Sequence, residues 1–255
     1  MPAIYTLARL TIRTYLQEKI LLVVMVFAGL LMASSYALSP LAVGAQQKIV
    51  VDIGLAAVSI FAVVLIVLLG AGSFHMEKER GILRSLLAKP ISRVDFILGK
   101  YLGTLATACM VIGLMAAVHL LVVALSGARI TSTMLWAVYM TMLEAGLVTA
   151  ILTLFACFTS PLLGSFFTIA CVVAGHFSAD LLDFATRFAG AFPKAVATGA
   201  YYLLPNLGLV SLRAEAVHGL AIPSGMLVAV SLYAVMYIGV LLYTATLIFR
   251  AREAS

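Results

Sequence analysis

Six stretches of this chain, residues 20–38, 53–74, 101–125, 135–158, 162–179 and 226–249, run for 18 residues or more on predominantly apolar side chains. A helix adds ~1.5 Å per residue, so roughly 20 such residues cross the ~30 Å hydrocarbon layer of a bilayer. Inside that layer the backbone polar groups must bond to one another, which a helix does within a single segment. Composition agrees, with 64% of the 255 residues hydrophobic and 10% charged; soluble domains sit near 45–50% and about 25%. The expected fold is an all-α polytopic membrane protein, with six transmembrane helices in a single domain over residues 1–255.

The formal net charge is +6. No basic patch is interleaved with base-stacking aromatics, so a nucleic-acid partner is not expected. In a membrane protein the same excess marks cytoplasmic loops and contact with anionic lipid. With both termini inside, the cytoplasmic face carries Arg9, Arg13, Lys19, the six basic residues from Lys78 to Lys100, Arg250 and Arg252. The opposite face carries only Lys48, Arg129, Arg187, Lys194 and Arg213. The eleven-to-five bias and the even number of spans therefore agree on cytoplasmic termini. Ser35-Tyr36-Ala37 has the small-x-small pattern of a signal-peptide cleavage site. The apolar run before it exceeds the usual 7–15 residues of such peptides, which favours a retained span. Cys109, Cys157 and Cys171 are odd in number and lie within apolar runs, against a disulfide framework.

The connections differ in kind. Thr159-Ser160-Pro161 is short enough to make the fourth and fifth spans a tight hairpin. Residues 180–225 are long and apolar but broken by Gly190, Pro193, Gly199, Pro205, Gly219 and Pro223, as expected of short outer re-entrant or interfacial helices. In residues 1–19, Thr6, Arg9, Arg13 and Gln17 share one helical stripe while Ile4, Leu7, Ile12 and Leu16 lie elsewhere. That pattern suits an interfacial helix on the inner leaflet, or a charged flank that sets topology.

Residues 75–103 concentrate charge between two spans. A first short helix places Ile82, Leu83, Leu86 and Leu87 on one face and Glu77, Arg80 and Arg84 on another. Pro90 ends it, because the residue before proline is pushed out of helical geometry. Ser92 then caps a second helix, with Asp95 three residues on, that continues into the third span. The apolar face fits either a leaflet surface or a groove in a partner protein.

Glu77-Lys78-Glu79-Arg80-Gly81, followed by Leu86-Leu87-Ala88-Lys89-Pro90-Ile91-Ser92-Arg93 and Leu98-Gly99-Lys100, resembles the signature E-x-E-x-G-T-L-x-x-L-L-x-x-P-[IV]-S-R of ABC type-2 permeases. Ile82 stands where threonine is common, and Arg84 where an acidic residue is common. Tyr201-Tyr202-Leu203-Leu204-Pro205-Asn206-Leu207 further resembles the branch associated with multicopper-enzyme maturation. The resemblance implies the membrane subunit of an ABC exporter in a bacterial or archaeal inner membrane, paired with a second permease copy or a related chain. It implies that a separate ATPase subunit, in two copies, drives transport by seating residues 75–100 in a groove as a coupling segment. Carried over by position, Glu77, Glu79, Arg80, Gly81, Leu86, Leu87, Pro90 and Ser92 lie at or behind that contact. ATP and Mg would be bound by the partner, with no cofactor and no catalytic site on this chain. The sequence holds no G-x-x-x-x-G-K-[ST] phosphate cradle; Gly99-Lys100 lacks the upstream glycine and is followed by Tyr101.

Glu144 lies near the middle of the fourth span, where an acidic residue is costly. It reads either as a substrate or proton site on the translocation path, or as a hydrogen-bonded clamp between helices. His119 and His176 read as packing or interface residues rather than ligands, and the eleven methionines as core rather than copper ligands, since no C-x-x-C accompanies them. Asp180 and Asp183, one turn apart at the end of the fifth span, suit solvation or loop capping. A membrane metalloprotease would need H-E-x-x-H, but the four histidines are dispersed; a CAAX-protease-type site would need adjacent glutamates, but Glu77 and Glu79 are split by Lys78. A secondary transporter would show paired broken helices in two halves, which the sequence lacks.

Overall fold

The structure, a computed structural model, describes residues 2–17, 26–27, 29–31, 34, 46–79, 92–188 and 190–252. Among these residues there is no strand. The helices are α1 (Pro2–Gln17), α2 (Gln46–Glu79), α3 (Arg93–Leu125), α4 (Ser132–Ala156), α5 (Pro161–His176), α6 (Ser178–Phe188), α7 (Ala191–Leu203), α8 (Arg213–His218) and α9 (Ser224–Arg252). A 3₁₀ turn, Leu207–Val210, precedes α8. Four of them, α2, α3, α4 and α9, are long and apolar enough to cross a membrane, and up to six spans result if each of two bent pairs is counted as one. The chain is an all-α polytopic membrane protein.

These four helices contain the expected spans 53–74, 101–125, 135–158 and 226–249, apart from a residue or two at the end of the third. They also run past them. At 34 residues α2 is about 51 Å long, so its ends reach beyond ~30 Å of hydrocarbon. Backbone hydrogen bonding continues through Gln46-Gln47-Lys48, outside the apolar pattern. Most of the expected first span, 20–38, lies outside the described residues. The six positions of it that are described are helical, and Phe27 is buried edge-on against Phe61 of α2 with ring centroids 5.4 Å apart.

Two ends of the bundle can be told apart. Gln47 Nε2 donates to the Gly127 carbonyl, and Thr133 Oγ1 donates to the Leu220 carbonyl, so the starts of α2, α4 and α9 meet the finish of α3. At the other end Phe96, on the first turn of α3, stacks on Phe249 of α9. We call these the Gln46 end and the Ser92 end. Helix α4 is the hub, touching α2, α3, α5 and α9. Its Thr141, Thr149 and Thr153 donate to carbonyls one turn back, which satisfies each hydroxyl without a partner helix.

Helix α1 does not simply lie on a surface: it is docked against α3. Leu7 and Thr11 seat over Gly99 and Gly103, where an added Cβ would come within 2.7 Å and 2.6 Å of theirs. Small residues four apart let two helices approach this closely, and dispersion between the backbones then holds them. The stripe of Thr6, Arg9 and Arg13 remains exposed on the far side of α1.

The expected fifth span, 162–179, is bent rather than straight: α5 and α6 together are long and apolar enough for one broken span. The helix stops at His176, and α6 leaves at 60° after Phe177. Just before the bend the chain crosses closely at Gly175, where a Cβ would stand 2.6 Å from the Pro205 carbonyl oxygen. The Ser178 hydroxyl donates to the Gly175 carbonyl at 3.0 Å across the break. The segment 180–225 is indeed a series of short helices. The Tyr233 hydroxyl of α9 accepts the Asn206 N–H at 2.9 Å, and Tyr237 donates to the Leu203 carbonyl, tying this segment to α9.

Candidate functional site

One face of α2 carries Asp52, Leu55, Ala56, Ser59 and Ile60, the spacing of a single helical stripe. It faces Ala137, Thr141 and Glu144 on α4, Val172, Val173 and His176 on α5, and Phe177 just after α5. Between them is a cavity of about 430 Å³, lined toward the Gln46 end by residues 211–213.

Glu144 is buried at 4% exposure in its floor. One carboxylate oxygen, Oε1, is 2.9 Å from His176 Nε2, and the other accepts a hydrogen bond from the Ser59 hydroxyl at 3.1 Å. The carboxyl group therefore joins three helices. An acidic side chain in a membrane bundle is tolerable when each of its oxygens has a hydrogen-bond partner and it faces the interior, and both conditions hold here. At the rim Arg213 forks onto Asp52, with Nε–Oδ1 at 2.5 Å and Nη2–Oδ2 at 3.1 Å. This bidentate pair fastens α8 to the first turns of α2.

Of the residues singled out from sequence, Glu144 lines this cavity, and its buried carboxyl group bonds across to two other helices. His176, expected to be a packing or interface residue, is its partner. A signal for the pair does exist in the sequence. Glu144 lies 16 residues before Ser160 and His176 lies 16 after it, so an antiparallel hairpin sets them level, both about 24 Å from the turn. Ser59 and the Asp52–Arg213 pair, 161 positions apart, have no such signal. His119 is a packing residue: it is fully buried, its ring filling the space where a Cβ on Gly54 would otherwise stand. Asp183 bonds Arg187 on the exposed surface of α6, and Asp180 sits in that helix's first turn, where negative charge is favoured.

The coupling segment is described in part. The backbone at Glu77 and Glu79 closes α2. Arg80, Gly81, Leu86, Leu87 and Pro90 lie outside the described residues. Ser92 caps α3 as expected, its hydroxyl accepting the Asp95 N–H at 3.1 Å. The structure does not bring the coupling residues to Glu144: Ser59 and Glu77 are 18 residues apart on α2, about 27 Å along its axis.

Residues 7–174 match the family profile described as ABC-2 family transporter protein, 168 of 255 positions. The chain belongs to the ABC-2 transporter family. It is accordingly a membrane permease component of an ABC transporter. The matched region of this ABC-2 protein takes in α1, the coupling segment and Glu144, and ends two residues before His176. Among curated proteins none matches the chain in sequence.

Proposed function

We propose that this ABC-2 permease forms the translocation pathway of an exporter and is driven by a separate ABC ATPase. Two ATPase copies and two permease chains, identical or related, would make up the transporter in a bacterial or archaeal inner membrane. The Ser92 end would face the cytoplasm, with both chain termini there, and ATP and Mg would be held by the partner. The family membership over residues 7–174 carries this reading. Helix continuity supports it: α2 and α3 run without interruption from either side of residues 80–91 into the bundle, and α2 bears Ser59, which donates to Glu144. A push on the coupling segment would travel along a stiff helix to the cavity wall. Pro90 and the cap at Ser92 would keep that lever rigid. In this reading Glu144 stands on the translocation path.

The test is co-purification with the ATPase expressed beside it. Leu86→Asp with Leu87→Asp removes two apolar contacts of roughly 1.5–3 kcal/mol each, so affinity should fall at least ~100-fold and the ATPase be lost. Pro90→Ala should retain the ATPase while transport falls, because the apolar face survives and the lever softens. Wild-type affinity in the double variant would reduce the segment to a membrane-surface helix.

A further inference from the structure

We propose that the cavity between α2, α4 and α5 binds an amphipathic molecule whose head is a primary ammonium group and whose apolar tail lies between α2 and α5. This rests on reading Glu144 as part of the translocation path. The cavity wall is asymmetric. Its floor is buried, whereas Ile60 on α2, Val173 on α5 and Phe177 just after it are 62%, 53% and 61% exposed. Ile60 lies 14 residues from Gln46 and Val173 lies 13 from Ser160, each about 20 Å from its own end of the bundle. These exposed apolar side chains open the cavity toward the apolar flank at bilayer depth, beside the polar rim at Arg213. A ligand arriving there comes from the lipid and is mostly apolar. The volume of about 430 Å³ is that of a small-molecule site.

The head chemistry follows from charge. Arg213 already forks onto Asp52, so its charge is matched at the rim. Among the described residues, Glu144 has His176 on one oxygen and Ser59 on the other. A carboxylate offers about four acceptor positions, so room remains for further donors. An ammonium supplies three donors and a charge that offsets the cost of a buried carboxylate. A hydroxyl head supplies one donor, and a carboxylate head is repelled.

The chemistry is common to free amphipathic amines and to amine-headed lipids, and the experiment separates them. Thr141, which lines the cavity, is replaced by Cys in a chain whose Cys109, Cys157 and Cys171 are Ala, and the full chain is placed in phosphatidylcholine nanodiscs. The rate of modification by methyl methanethiosulfonate is then measured. Dodecylamine should slow it about tenfold, with dodecanol and dodecanoate at equal concentration changing it less than about twofold. Slowing by phosphatidylethanolamine in the nanodisc as well assigns the head to a lipid; its absence assigns it to a free amine. Glu144→Gln, with an unchanged unfolding midpoint, should abolish the protection, and Glu144→Asp, which keeps the charge, should retain part of it. Equal slowing by all three probes, no slowing by the amine, or protection that survives Glu144→Gln overturns the proposal. The permease reading is scored apart, on co-purification of the ATPase with the same protein. If the ATPase is retained and amine protection is absent, the ligand assignment fails alone.

Discussion

Helices α4 and α9 look alike as strings of letters and sit in opposite surroundings. Both are apolar helices of spanning length, 25 and 29 residues long. Yet 61% of the apolar window of α4 is buried in the protein and only 17% of that of α9. Hydropathy reports that a segment can leave water; it is silent on whether lipid or protein receives it. What separates the two is polar chemistry that needs neighbours. α4 places Glu144 between Ser59 and His176. α9 carries no charged residue between Ser224 and Ile248 and points Leu232, Val235, Met236, Val240 and Tyr243 outward. Its polar anchors, Tyr233 and Tyr237, meet backbone groups of residues 203–206 along one side.

The comparison is broken most forcefully by moving a carboxyl group from the hub to the outer helix. Val240 is 64% exposed near the middle of α9. Val240→Asp places a carboxylate with no partner at bilayer depth, at a cost of roughly 3 kcal/mol for insertion. Yield in the membrane fraction should collapse, although Glu144 is tolerated about as deep. A normal yield would mean that α9 is covered by protein at this position. The converse change is smaller. Glu144→Leu leaves the Ser59 hydroxyl and the His176 ring without their acceptor, and should lower stability by about 2 kcal/mol in a thermal unfolding assay. Glu144→Gln keeps an acceptor at the same place and should cost less than about 1 kcal/mol. Equal losses in both would make the charge, not the hydrogen bonding, the source of stability. The smallest effect belongs to Val235→Ala, 59% exposed on α9. It should change the unfolding midpoint by less than the equivalent of about 0.5 kcal/mol. A larger loss would place a partner against this face.

Features of short range are legible in the chain itself. Continuous apolar runs mark the spans in α2, α3, α4 and α9, and Ser92 with Asp95 three residues on marks the start of α3. The tight hairpin at Thr159-Ser160-Pro161 is legible as well, with Ser160 as the cap and Pro161 in the first turn of α5. Glu144 stands out because its ionisable side chain sits in an apolar run. The bend after His176 is not legible, and neither is the close crossing beside it, where Pro205, thirty residues away, meets Gly175. The docking of α1 is also hidden: the pattern of Thr6, Arg9 and Arg13 names the wet face without naming what covers the opposite one. Gly99 and Gly103 supply half of that contact and Leu7 and Thr11 the other, and neither half identifies its mate.

By itself the sequence determined that this protein is a bundle of membrane helices, with a charged segment between its second and third spans and a carboxyl group buried in its fourth. Those outcomes depend on each segment's own transfer from water and on caps closed within three or four residues, so they are decided locally. Tertiary structure alone decided what the carboxyl group does. Its partners come from α2 and α5, the rim pair joins residues 52 and 213, and Ile60, Val173 and Phe177 stand exposed together beside the cavity. Lipid is as apolar as a leucine side chain, so hydrophobicity does not choose neighbours inside a bilayer. Close packing at small residues and the pairing of polar groups make that choice, and both are properties of two surfaces meeting.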